Sequence, residues 1–342
     1  MKNVTIQDIA EKAGVTKATV SMVINQDHRI TAKTRDKVLK IIKDMRYYPN
    51  QSARKLARGK SDIIAFVSAR FAAPFIATIM DAFEQRAFHL GRYVHGIQPY
   101  STQHEIEAKE ELLKQILYGR TADAVVVVTL RPSDKIVEEY AKWKIPLVLI
   151  ENSIPGSHSL QVDNVYGATI ATEYLIQKGR KRIGLINGLT EPPPGQDIVH
   201  SAVERLEGYQ AALKKHGLEY NKDRVFSFRN YEFEEGRQGL RQLLEKTPSL
   251  DAVFCAAGDI VAMGALFEAQ SRGIRVPEDL AIVGYDDMLA SSLLKPALTT
   301  VHQPIVEMGT RAFDIAIAAI DGKLTEDQNI VFKPELIVRQ SA

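Results

Sequence analysis

Val4-Thr5-Ile6-Gln7-Asp8-Ile9-Ala10-Glu11-Lys12-Ala13-Gly14-Val15-Thr16-Lys17-Ala18-Thr19-Val20-Ser21 decides how the chain is read. Thr5 is a helix N-cap residue, and Ile6, Ile9 and Ala10 form an apolar stripe with Gln7, Asp8, Glu11 and Lys12 outside it. Gly14 supplies a break. Thr16 caps a second helix whose inner positions are Val20, Val23 and Ile24. Further on, Thr31 caps a third helix, with Val38, Ile41, Ile42 and Met45 inward and Lys33, Lys37, Lys40 and Lys43 largely outward. Tyr47-Tyr48-Pro49 stops it, because the residue before a proline is driven out of helical backbone. The spacing predicts a three-helix unit whose core, drawn from about 45 residues, is marginal on its own.

The charge distribution singles out the same segment. The 342-residue chain carries a formal charge of only +2, with 45% hydrophobic and 25% charged residues, which excludes disordered, collagen-like and disulfide-stapled classes. Yet residues 1–60 hold 14 Lys and Arg against 5 Asp and Glu, a net of +9, and the remainder is net −7. A basic module on a mildly acidic body points to nucleic acid or a membrane surface. The single cysteine, Cys255, allows no intrachain disulfide and is expected to pack as a small hydrophobe. No secretory signal is visible, and the longest aliphatic runs, 124–128 and 147–150, are too short for a bilayer. A cytoplasmic, nucleoid-associated protein with no membrane partner is expected.

From residue 62 the pattern becomes short β-rich runs alternating with helical stretches. Strands are expected at 63–67, 93–97, 124–128 and 146–150, with helices at 75–90, 103–118 and 134–143 between them. The rhythm restarts after Gln161-Val162-Asp163-Asn164. Strands at 182–186, 225–228, 252–254 and 281–283 then alternate with helices at 166–178, 202–216, 234–245 and 260–272. The βαβ rhythm predicts an α/β body of parallel sheets covered by helices. Segments 298–301, 305–320 and 330–338 are left to return to the first sheet and then to the second. The result is two interleaved subdomains joined by three crossings.

A helix, a Gly-containing turn and a second helix in a +9 segment predict a helix-turn-helix that reads double-stranded DNA. The first residues of the second helix, Thr16, Lys17, Ala18, Ser21 and Met22, lie nearest the base edges. Lys17 can donate to guanine O6 and N7, and Ala18 or Met22 can pack on a thymine methyl. Thr5 with its neighbour Ile6, Asn25, Arg29, Thr31, Thr34 and Tyr47 are expected on the backbone side, where contacts set register.

Residues 4–21 resemble the N-terminal signature of lactose/galactose-repressor (LacI/GalR) family regulators. Tyr48-Pro49-Asn50-Gln51-Ser52-Ala53-Arg54-Lys55-Leu56-Ala57 resembles their hinge, and Thr299-Thr300-Val301-His302-Gln303-Pro304 and Pro334-Glu335-Leu336 resemble later family segments. The resemblance spans essentially the whole chain. It implies a helix-turn-helix domain at 1–49, a hinge helix and linker at 50–61, and a periplasmic-binding-protein-like effector and dimerisation domain at 62–342. Within the last, subdomain one would take 62–160 and 293–322 and subdomain two 162–290 and 330–342. It also implies a homodimer on a pseudo-palindromic operator, with Asn50 opening the hinge, Ala53 and Ala57 packing it, and Leu56 wedged into the minor groove. Many relatives carry Arg in place of Met22, so base preference there is expected to differ. The tail stops without a heptad extension, which favours a dimer over a tetramer, and the helix at 75–90 is a candidate dimer surface.

Ligands of open parallel sheets sit beyond the carboxyl ends of strands. Those loops are 69–75, 98–101, 129–131, 151–152, 187–200, 229–231, 256–259 and 285–287. They offer the aromatic residues Phe71, Phe75, Tyr100 and Tyr231, with Arg70 among the polar groups, a mixture suited to sugars and nucleobases alike. The resemblance assigns effector contacts to Arg205 in Glu204-Arg205-Leu206-Glu207-Gly208-Tyr209 and to Asp286 in Val283-Gly284-Tyr285-Asp286-Asp287. It places Tyr231 as a stacking aromatic and Glu151 where some sugar-responsive relatives have Asp. Gly258 stands where such relatives often have Asn, and the segment 190–195 is unusually proline-rich; both are expected to alter the cleft. A sugar or sugar derivative is the favoured effector, a nucleobase or nucleoside the alternative.

No HExxH, GxSxG, Walker A or Rossmann glycine pattern occurs, so no enzyme, cofactor or metal site is expected. A periplasmic-type solute-binding protein is the other class the body alone would fit.

Overall fold

A computed structural model of the chain describes residues 4–24, 27–47, 60–93 and 96–342. The chain divides into two compact units, Met1–Ser61 and Asp62–Ala342.

The first unit contains α1 (Ile6–Ala13), α2 (Lys17–Ile24) and α3 (Ala32–Asp44). Thr5 caps α1 in a reciprocal box: its backbone N–H donates to Asp8 Oδ2 at 2.7 Å, and the Asp8 N–H donates to Thr5 Oγ1 at 3.3 Å. Gly14 closes the helix in left-handed backbone, and Thr16 and Thr31 accept from the Thr19 and Thr34 N–H groups to start α2 and α3. Ile9, Ala10, Ala13, Val20, Val23 and Val38 form the core; Ile24, Ile41, Ile42 and Met45 are partly buried against it.

The second unit has two six-stranded sheets. The first takes β1 (Ile64–Ser68), β2 (Ile97–Ser101), β3 (Ala124–Val128), β4 (Leu147–Ile150), β5 (His158–Val162) and, from the far end of the chain, Asn329–Phe332, in the order 329–332, β5, β4, β3, β1, β2. All its pairings are parallel. Alternation along β1 builds both of its cores at once: Ile64 and Phe66 join one layer, Ala65 and Val67 the other. The helices Pro74–Leu90 and Ile305–Ile320 cover the first layer; Ile106–Gly119 and Asp134–Trp143 cover the second.

The second sheet holds β6 (Ile183–Gly188), β7 (Val225–Phe228), β8 (Ala252–Cys255), β9 (Ala281–Asp286), β10 (Thr299–His302) and the antiparallel edge Glu335–Ile337, in the order 335–337, β10, β9, β8, β6, β7. Asn164–Gln177, His200–Lys215, Phe233–Lys246 and Asp259–Ser271 flank it. Cys255 is fully buried among the aliphatic side chains of this sheet.

Several expected elements sit elsewhere. The second strand is 97–101 rather than 93–97, because Tyr93 has a positive φ and the Gly96 N–H turns back onto its carbonyl. Residues 158–162, too mixed in polarity to read as a strand, form β5. Residues 299–302, expected in the first subdomain, pair with β9 in the second sheet; residues 329–332, expected in the second, pair with β5 in the first. The three crossings thus fall at 163, 303–304 and 333–334.

Candidate functional site

The helix-turn-helix presents the expected reading residues at the start of α2. Thr16, Lys17 and Ala18 are exposed, and Ser21 and Met22 are half-buried. Thr5 and Thr31 are exposed cap residues, while Thr34 and Tyr47 are half-buried; Tyr47 packs against the core. Ile6 likewise packs partly into the core, so its contribution outward is limited to part of its side chain. Arg29 is exposed and gripped by Asp27, with Nε 3.0 Å from Oδ1 and Nη2 2.7 Å from Oδ2, which holds the Asp27 carboxyl well below the usual carboxylate range. Asn25, Asn50, Ala53, Leu56 and Ala57 lie outside the described residues, so the hinge reading stays an expectation.

In the body, a cavity of ≈ 300 Å³ opens between the two sheets at their strand carboxyl ends. Six of the seven expected effector residues line it: Arg70, Phe75, Glu151, Arg205, Tyr231 and Asp286. Tyr100 does not. Its strand is the outer edge of the first sheet, and its side chain packs on the core layer of Leu113 and Leu117 instead. Loop 98–101 is accordingly the one expected loop that contributes no lining residue. Phe71 also turns away, onto Phe66 at 6.0 Å between ring centroids.

Arg205 is buried, and its orientation is set from three sides. Nε donates to Asn164 Oδ1 at 2.8 Å, Nη1 donates to the Ala256 carbonyl at 2.7 Å, and the guanidinium lies 3.8 Å over the Tyr285 ring. Asn164 is the hub that links the carboxylates to this arginine: its amide nitrogen donates to Glu151 Oε2 at 2.8 Å and to Glu204 Oε2 at 3.1 Å. Glu151 also accepts from the Val162 N–H at 2.9 Å. Burial pushes Glu151 and Glu204 above the ordinary carboxylate range, against the pull of Arg205 and Asn164. Asp286 ends β9 with φ 106° and accepts from Gln303 Nε2 at 2.5 Å. Burial raises its carboxyl to about 7, Arg205 acting in the opposite direction.

Gly258 explains one departure from the expected sugar-site pattern. Its φ is +120°, and a Cβ there would lie 2.7 Å from Asp286 Oδ2. A side chain at 258 would strain the backbone and displace the carboxylate that faces the cavity. Tyr231 packs the opposite wall edge-on to Phe228, with its hydroxyl over Gly188. Arg70 crosses the cleft mouth, 3.1 Å from Glu232 and 3.3 Å from Asn230.

Asn164, Glu204 and Gln303 escaped the sequence reading as site members. Each stands next to a singled-out feature, the restart at 161–164, Arg205 and the segment 299–304, but its role depends on partners brought together only by the fold.

Comparison with known proteins agrees with both units. A model described as "Bacterial regulatory proteins, lacI family" matches residues 5–50, and one described as "Periplasmic binding protein-like domain" matches residues 172–342. The chain is 33% identical to the HTH-type transcriptional regulator GalR of Escherichia coli (strain K12) over 339 residues, 98% of this chain and 95% of that protein. Among solved structures, the transcriptional regulator CelR–cellobiose complex is 31% identical with a TM-score of 0.71, over 99% of this chain and 100% of that one. The lac repressor dimer bound to operator and the anti-inducer ONPF is 27% identical with a TM-score of 0.84, over 99% of each chain. With a helix-turn-helix ahead of two parallel-sheet subdomains, the chain belongs to the lacI family of bacterial regulatory proteins.

Proposed function

We propose that the protein is a cytoplasmic repressor that binds a pseudo-palindromic operator as a homodimer and is switched by a sugar-like effector held in the cavity. The observation that carries the effector reading is the convergence of Arg205, Asp286 and Glu151 at one end of a cavity walled by Phe75 and Tyr231. Charged groups that fork hydrogen bonds, set beside aromatic faces, suit a polyol ring. The CelR structure with cellobiose supports the same class. Homodimerisation is supported by the lac repressor dimer and by Phe88 and Leu90, 72% and 45% exposed on the helix Pro74–Leu90. Among the described residues no helix is long and apolar enough to cross a membrane.

The mechanism is linkage. The two subdomains take alternative orientations; an effector that binds one more tightly shifts the dimer toward or away from the operator-binding state. The effector is bound and released unchanged. Selection of DNA from a random-sequence library by the full-length protein, followed by a thermal-shift screen of hexoses, disaccharides and nucleobases, tests the reading. A selected inverted-repeat site and stabilisation by a sugar are expected. Failure to enrich any sequence at moderate salt would sink the regulator reading, and stabilisation by nucleobases alone would replace the effector class.

A further inference from the structure

The proline-rich segment after β6 does more than border the cavity. Pro192, Pro193 and Pro194 carry the chain from the second subdomain onto the first, where Gln196 forms an antiparallel bridge with Glu105. The Ile106 N–H donates to the Gly195 carbonyl at 3.0 Å, and the Asp197 N–H donates to the His104 carbonyl at 3.0 Å. One turn into the helix Ile106–Gly119, Lys109 is 1% exposed. Its Nζ lies 2.6 Å from Asp197 Oδ1, on a residue itself 8% exposed, and it also donates to the Arg131 carbonyl. An ion pair is thus buried across the subdomain boundary, together with a two-bond strand pairing. His104 and Val199, on either side of these contacts, line the cavity. Lys109 does not.

We propose that residues 190–197 are a latch of the cleft. Its closure completes the cavity wall at His104 and Val199, and the Lys109–Asp197 pair sets how readily it opens. Lys109 and Asp197 are positioning residues. They act on the equilibrium between orientations and not on the effector, and this role rests on the reading above that the subdomains reorient. Removing Lys109 leaves the buried Asp197 without its cation; removing Asp197 leaves Lys109 with Glu110 Oε1, 3.7 Å away on its own helix, which holds nothing across the boundary. Replacing both members of a buried pair with apolar groups of similar volume is close to neutral. The three prolines restrict the backbone, so the segment docks as one piece.

The test is amide hydrogen exchange on the full-length protein without ligand, in Lys109→Met, Asp197→Leu and the double variant. Exchange at the amides of residues 106 and 197 is expected to speed up by about tenfold in each single variant and to return to within about threefold of the parent in the double. Amides of 124–128 and 252–255 keep their parental rates. A uniform rise across the body would show a general loss of stability, and no rise would show that the pair holds nothing; either overturns the latch. If a single variant does not fold, Glu105→Cys/Gln196→Cys supplies the second measurement. Its disulfide should form about fivefold more slowly when Asp197→Asn is added, and equal rates overturn the proposal. A failed operator selection would remove the regulator reading while leaving these exchange results standing.

Discussion

The helical unit and the two-sheet body place charge in opposite ways. In the first, Lys17 and Arg29 stand at the surface, and the core is aliphatic throughout. In the second, the charges that line the cavity are inside: Arg205 and Glu151 are both buried and held by Asn164, the Ala256 carbonyl and the Val162 N–H. Exposed charge serves a partner that brings its own long-range field, such as DNA, and responds to salt. Buried charge serves a small ligand, since only a preorganised, water-poor site makes a few hydrogen bonds decisive. Changes to the groups that touch one partner should therefore leave the intrinsic affinity for the other intact, while changes that bias the subdomain orientation act on both through linkage.

The widest gap is expected for Arg205→Ala and Asp286→Ala. Each should cost about a hundredfold or more in effector affinity, as loss of a buried charged partner does, while operator affinity is kept. Calorimetry with an effector found by screening, alongside operator titration, checks both halves. Parental ligand affinity in either variant would break the assignment.

The pH dependence separates the units next. Asp286 and Asp259 are held up, to about 7 and about 6, by burial. The folded body therefore keeps protons that the unfolded chain has released. Its stability is full below about pH 4 on this account and falls as pH rises toward 7. Burial lowers His104, His158 and His200, which acts in the opposite direction over the same range, so the readout is the difference between proteins. Between pH 5 and pH 7.5 the melting point of Asp286→Asn is expected to gain on that of the parent, and an unchanged difference would contradict it.

Lys17→Ala is expected to relax preference at one base per half-site by about 1–3 kcal/mol, read by binding to single-base operator variants. Uniform weakening would make Lys17 a phosphate contact. The smallest effect belongs to Thr5→Ala. Loss of the cap should cost the helical unit about 1 kcal/mol and leave the body's melting unmoved.

The same contrast governs what could be read in advance. The helical unit was legible nearly residue by residue, since Thr5, Gly14, Thr16 and Thr31 punctuate it through contacts three or four positions away. In the body, the βαβ rhythm located most strands and the loops at their ends; family resemblance singled out Asp286 within one of those loops and added Arg205, which lies beyond them on the helix His200–Lys215. The Asn164 hub joins residues 13, 40 and 41 positions distant, and Lys109 meets Asp197 across 88. No local pattern encodes such meetings. Tyr100 failed for a related reason: a four-residue displacement of its strand turned an aromatic from a loop into an edge-strand packing group.

The late strands have a consequence for synthesis. Residues 329–332 complete the first sheet and 335–337 the second, and Ser341 is fully buried with its carbonyl accepting from the Ile282 N–H at 2.8 Å. A ribosome that has delivered residues 1–300 has released the whole helical unit but can close neither sheet. The helical unit is available to fold long before the body, but the body, and with it the dimer that the operator reading requires, can be completed only when residues 329–342 have left the ribosome.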